Sequence, residues 1–121
     1  MAYSFAVVDD DDLLRDLIRR ALSTAFAGCA IEEYEDGVSA LQGISAQPFD
    51  LVIVDSRLPR MDGDEVVAGL RARSIGVPII MLSNAPEYED TGRAAGIDHF
   101  LYKADLHELP ALVRRCFSEA R

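Results

Sequence analysis

The sequence is poor in the groups that several functions require. It holds one lysine, Lys103, among 12 basic residues set against 21 acidic ones, for a formal net charge of -9. Phosphate backbones are held by patches of Lys and Arg, so direct binding of nucleic acid is not expected. No apolar run is longer than about five residues, against the roughly 20 that a membrane-spanning helix needs, so no membrane insertion is expected. The opening MAYSFAVVDDDD has no basic region ahead of a long apolar stretch, as a signal peptide would. The two cysteines, Cys29 and Cys116, lie far apart and form no CxxC, which points to reduced thiols in a cytoplasmic protein. The two histidines, His99 and His107, lack the companions of a metal site. Repeats, low-complexity segments and Pro/Gly/Ser-rich linkers are missing too, so residues 1–121 read as a single domain.

What the chain does have is a regular alternation, built on a composition that is half apolar. Short β-rich runs stand at 5–8 (FAVV), weakly at 30–35, then at 49–54 (FDLVIV), 77–82 (VPIIML) and 99–102 (HFLY). Between them lie segments with apolar residues at helical spacing: 13–26, the VSALQGIS stretch behind Asp36, 64–73, 86–96 and 106–118. Asp36 reads as an N-cap and Gly28 as a stop. Five strands alternating with five helices predict an α/β fold, a parallel doubly wound sheet with helices on both faces. Ligands of such sheets bind beyond the carboxyl ends of the strands.

The residues at those ends are unusual. The first strand runs into Asp9, Asp10, Asp11 and Asp12, the third into Asp55, the fourth into Ser83 and Asn84, and the fifth into Lys103. Asp11 and Asp12 suit the start of a helix, where carboxylates cap free N–H groups. Asp9 and Asp10 instead continue the strand. Asp55 ends an apolar run, and burying an ionised carboxylate without a partner is costly. Either Asp55 caps a turn, or it faces other charges there. Asp9, Asp10 and Asp55 would repel one another unless a cation sat between them, and hard oxygen ligands suit magnesium. A metal, a carboxylate, an ammonium and a hydroxyl gathered at one edge make a phosphoryl-transfer site. A carboxylate there can itself be the attacking group.

Four motifs in order carry a family resemblance: VVDD (7–10), DLVIVDSRLPRMDG (50–63), PIIMLSN (78–84) and AAGIDHFLYK (94–103). Over about residues 4 to 118 the chain resembles the receiver domain of two-component response regulators. The resemblance implies a flavodoxin-like strand order, 2-1-3-4-5. It implies Asp55 as phospho-acceptor, with Lys103 and Ser83 binding phosphoryl oxygens. Magnesium would be held by Asp10, Asp55 and the Arg57 backbone carbonyl, and by Asp9 through water. Phe100 would change rotamer on switching, and Pro59 and Gly63 would shape the loop. The donor would be a sensor histidine kinase or a phosphotransfer protein. The change would be read by a downstream protein on the face made by the fourth helix, fifth strand and fifth helix. Such a protein catalyses its own phosphorylation and dephosphorylation and is only loosely an enzyme.

Three positions depart from the family pattern. Lys103 is followed by Ala104 where the family has proline after a cis bond; a cis bond before a non-proline costs roughly 2.5–4 kcal/mol. Asn84 is larger than the usual Ala or Gly and would narrow access to the phosphoryl group. Arg57 puts a long cation two residues past Asp55, where it would reach over the site and alter the rates. These departures keep a rival open, a receiver-like interaction module that is never phosphorylated. An aspartate-nucleophile phosphatase would need a second Asp where Arg57 stands. A flavin carrier would need a Ser/Thr/Gly-rich phosphate loop where four aspartates stand. With Met1 immediately before the fold, an internal fragment is the less expected origin.

Overall fold

The computed structural model describes residues 2–119. Strand β1 (Ser4–Val8) leads into helix α1 (Asp12–Ala25), then β2 (Ala30–Tyr34), α2 (Gly37–Ala46), β3 (Leu51–Asp55), α3 (Gly63–Ala72), β4 (Ile79–Ser83), α4 (Tyr88–Ala95), β5 (His99–Tyr102) and α5 (Leu109–Glu119). The strands form one parallel sheet in the order β2-β1-β3-β4-β5, as the resemblance implied. Successive side chains of a strand point to opposite faces, and the sheet sorts its apolar residues that way. Phe5, Val7, Leu51, Ile53, Ile80 and Leu82 pack with Ile18 and Leu22 of α1 and with Leu109 and Val113 of α5. Ala6, Val8, Val52, Val54, Ile79 and Met81 pack on the other face with residues of α2 and α3. Burial on both faces is why the central strands read as unbroken apolar runs. Each fully buried Val, Leu, Ile or Phe contributes roughly 1.5–3 kcal/mol.

The helix starts are set by aspartates. Asp11 accepts from the N–H groups of Leu13 and Leu14 at 3.0 and 3.3 Å, and Asp36 from that of Ser39 at 2.8 Å. Asp12 opens α1 and pairs with Arg15. Strand β3 begins at Leu51, two residues later than the apolar pattern suggests; just ahead of it Asp50 meets Ser4 through both its carboxylate, which accepts from the Ser4 N–H at 2.7 Å, and its own N–H, which donates to the Ser4 carbonyl at 2.8 Å. A 3-10 helix over Lys103–Glu108 precedes α5, where the spacing predicted one helix from 106. No peptide bond among the described residues is cis, so the Lys103–Ala104 bond is trans.

The loop from β3 to α3 is packed tightly against its neighbours. A side chain at Gly63 would put its Cβ 2.1 Å from the Asp55 carbonyl oxygen, and one at Gly37 would lie 1.9 Å from that of Met61. Only glycine allows this close approach of backbone to backbone. The Gly63 N–H donates to the Ser56 carbonyl at 3.0 Å, and Asp62 accepts from the Leu58 N–H at 3.3 Å. The loop after Asp55 is thereby held in one shape.

Candidate functional site

Parallel strands bring their carboxyl ends to one edge, and the residues singled out above stand there. Asp9 follows β1, Asp55 closes β3, Ser83 closes β4 and Lys103 follows β5. Asp9 is 1 % exposed and Asp55 5 %, whereas Asp10 is exposed. Each of the three acids offers an oxygen within 4.8 Å of the other two.

Their only nearby lysine is shared. Lys103 Nζ lies 3.2 Å from Asp55 Oδ1 and 3.8 Å from Asp9 Oδ2. Asp9 Oδ1 accepts from the Asp11 N–H at 2.9 Å. Asp9 Oδ2 is the one buried side-chain oxygen or nitrogen among the described residues with no hydrogen-bond partner. Burial disfavours the charged form of a carboxyl. It pushes Asp9 up to about 6, with the Asp55 charge adding to the shift and Lys103 opposing it. Burial likewise raises Asp55, outweighing the pull of the Lys103 ammonium. One ammonium does not balance three carboxylates, and the arrangement favours a further cation or a proton.

Beside these acids a cleft of about 310 Å³ is lined by Asp55, Ser56, Arg57, Ser83, Asn84 and Lys103. Ser83 is buried; its Oγ accepts from the Ala85 N–H at 2.9 Å and lies 2.7 Å from Ser56 Oγ. Arg57 is exposed and extends towards α4, where its guanidinium is 3.4 Å from a Glu87 oxygen and 5.5 Å from the centre of the Tyr88 ring. Asn84 is exposed on the cleft wall, and Ala104 is exposed beyond Lys103. Phe100 lies on β5, half-buried against the core beneath α2 and α3, with its ring 5.4 Å from that of Tyr102.

Residues 5–114 match the response regulator receiver domain family. The chain belongs to that family. The receiver is 38 % identical over 117 residues to response regulator MprA of Mycobacterium ulcerans, covering 94 % of this chain and 50 % of that protein. It thus spans about half the length of the curated relatives it matches. The receiver domain of a Francisella response regulator superposes with a TM-score of 0.87 at 26 % identity, covering 98 % of this chain and 99 % of that one. The receiver domain of a Pseudomonas aeruginosa sensor histidine kinase, solved with magnesium coordinated in its active-site cleft, shares the fold at 24 % identity, with a TM-score of 0.86 and coverage of 98 and 99 %. Receiver domains are the signalling modules of two-component response regulators, and this chain is one of them. No helix among its described residues is long and apolar enough to cross a membrane.

Two residues at the site escape a reading by motif. Arg15 is buried, and its Nη1 donates to the Asp9 carbonyl at 2.6 Å while Nε donates to Glu33 at 3.0 Å. It pins the main chain of the acidic turn from behind. Its spacing with Ile18 and Leu22, the other buried residues of α1, was the available signal. Ser56 is the second; the register of β3 with β4 pairs Asp55 with Leu82, so the next step sets Ser56 beside Ser83.

Proposed function

We propose that this receiver accepts a phosphoryl group on Asp55 from the phosphohistidine of a sensor kinase or phosphotransfer protein. A carboxylate oxygen of Asp55 attacks phosphorus, the O–P bond forms, and the P–N bond breaks with its electron pair going to the imidazole, which takes up a proton. The observation that carries the reading is a buried carboxylate at a strand end, 3.2 Å from the chain's single lysine. Lys103 neutralises one phosphoryl oxygen, and the Ser83 hydroxyl donates to another once it is released from its present partners. Water later hydrolyses the acyl phosphate.

The acidic cluster suits magnesium. It has three carboxylates within reach of one another, and one buried oxygen among them lacks a donor. Asp10, Asp55 and the Arg57 carbonyl would hold the ion, with Asp9 acting through water. When bound, magnesium supplies charge to offset the phosphoryl oxygens. Phosphoryl charge at Asp55 draws Ser83 and the segment behind it inward, Phe100 turns into the space released, and the α4–β5–α5 face presents a different surface to a downstream protein. The donor approaches over α1, whose Leu13 and Leu17 are 68 % and 46 % exposed beside the acidic turn. Residues 1–121 act as one receiver unit, and the free thiols of Cys29 and Cys116 suit the cytoplasm.

The test is incubation with a small acyl phosphate and magnesium, read as intact mass. The wild-type protein gains one phosphoryl group and Asp55→Asn gains none. A wild-type mass that stays unchanged favours the interaction module that is never phosphorylated.

A further inference from the structure

The Ser56 hydroxyl has no part in the reaction drawn above, yet it is buried at the mouth of the cleft and bonded to a residue that must move. Ser56 and Ser83 stand side by side because β3 and β4 are parallel and in register there. Ser83 Oγ is engaged three ways: with Ser56 Oγ at 2.7 Å, with the Ala85 N–H at 2.9 Å, and with the Ala85 carbonyl at 3.2 Å. A serine hydroxyl has one proton and two lone pairs. If Ser56 donates, Ser83 accepts twice and gives its own proton to the Ala85 carbonyl. If Ser83 donates to Ser56, its proton is again committed. Neither arrangement leaves a proton for an oxygen arriving on Asp55.

Redirecting the Ser83 proton alone breaks the bond to the Ala85 carbonyl, but carrying Ser83 Oγ itself towards Asp55 breaks the bond to Ser56 in either arrangement. It also leaves the Ser56 hydroxyl buried without its partner, and a stranded buried hydroxyl costs more than the bond alone is worth. Asp55 itself stays close by, since Ser56 is its chain neighbour. The bond thus opposes the movement that phosphorylation requires while leaving the acceptor carboxylate in place.

We infer that Ser56 is a latch residue: its hydroxyl holds Ser83 in the unphosphorylated arrangement and sets how readily the receiver switches. The inference rests on the proposal that Asp55 carries the phosphoryl group and Ser83 binds it. Ser56 acts through Ser83 and touches no reacting atom, so it is a positioning residue.

The experiment is calorimetric titration with beryllium fluoride, a phosphoryl mimic, in the presence of magnesium. Ser56→Ala should bind the mimic more tightly than wild type by about fivefold, the worth of one net hydrogen bond. In a Ser83→Ala background the same substitution should change nothing, because the latch then has nothing to hold. If Ser56→Ala is too unstable to titrate, Ser56→Cys keeps nearly the same shape with a weak donor and should gain affinity in the same direction. Unchanged or weaker binding by these variants overturns the latch, since weaker binding makes Ser56 a ligand of the mimic. A gain that persists without the Ser83 hydroxyl overturns it too. Failure of the wild type to bind, or binding that survives Asp55→Asn, brings down the Asp55 reading and the latch with it.

Discussion

Asp9 shows how burial and charge work against each other at a single residue. Its carboxyl is pushed up to about 6 from an ordinary 3.8. Between those pH values the unfolded chain gives up its proton while the folded protein keeps it, so metal-free stability falls as pH rises through this window and levels off above it. A shift of about two units corresponds to roughly 3 kcal/mol. Asp9→Asn removes that charge and keeps an oxygen for the Asp11 N–H. Urea midpoints without metal should be higher for Asp9→Asn than for wild type at pH 7.5, and equal at pH 3.5. The same gain at both values would contradict the burial argument. Arg57 lends itself to a kinetic test. Its reach to Glu87 and Tyr88 lays a side chain along the cleft wall, and exposed pairs of this kind contribute up to about 1 kcal/mol. Arg57→Ala should speed phosphorylation by a small donor and hydrolysis of the product, each by up to about fivefold. Rates equal to wild type, followed by mass against time, would show that the side chain does not cover the site.

Among the elements, α1 serves the site from two sides. Its inner face carries Arg15 onto the Asp9 carbonyl, and its outer face leaves Leu13 and Leu17 one turn apart and exposed. If the phosphohistidine donor docks there, Leu13→Glu combined with Leu17→Glu should slow transfer from a kinase that phosphorylates wild type by about tenfold or more, the worth of one lost apolar contact. Phosphorylation by the small acyl phosphate should be unaffected. Equal slowing with both donors would point to damage at the site itself. The elements also differed in how well they could be read. Strands β3 and β4 were plain because burial on both faces demands apolar runs, whereas β2 was faint because an edge strand with exposed Glu32 and Glu33 needs no such run. The 3-10 helix over Lys103–Glu108 had no periodic signal of its own, being too short to build an amphipathic face. Asp11 and Asp36 were recognisable as caps because capping is local chemistry, settled by residues two or three positions away. Arg15 and Ser56 depend on what lies across the fold, and only burial and strand register revealed them.

In the whole molecule, four strand–helix–strand connections bring residues separated by up to 94 positions, Asp9 and Lys103, to one edge of one sheet. The alternation of strands and helices already implied that edge, and the four motifs named its occupants. What the sequence did not disclose was the resting arrangement: Ser83 bonded to Ser56, Arg57 paired with Glu87, and the bond after Lys103 trans. The account's central claim is that charge placed at Asp55 is transmitted to a distant surface. The most direct measurement is the set of backbone amide shifts of isotopically labelled protein with magnesium, before and after beryllium fluoride is added. The account predicts changes at Asp9, Asp55 and Ser83 that continue through α4 and Phe100 to α5, and their loss in Asp55→Asn. Changes confined to the cleft, with the α4–β5–α5 face unmoved, would contradict it.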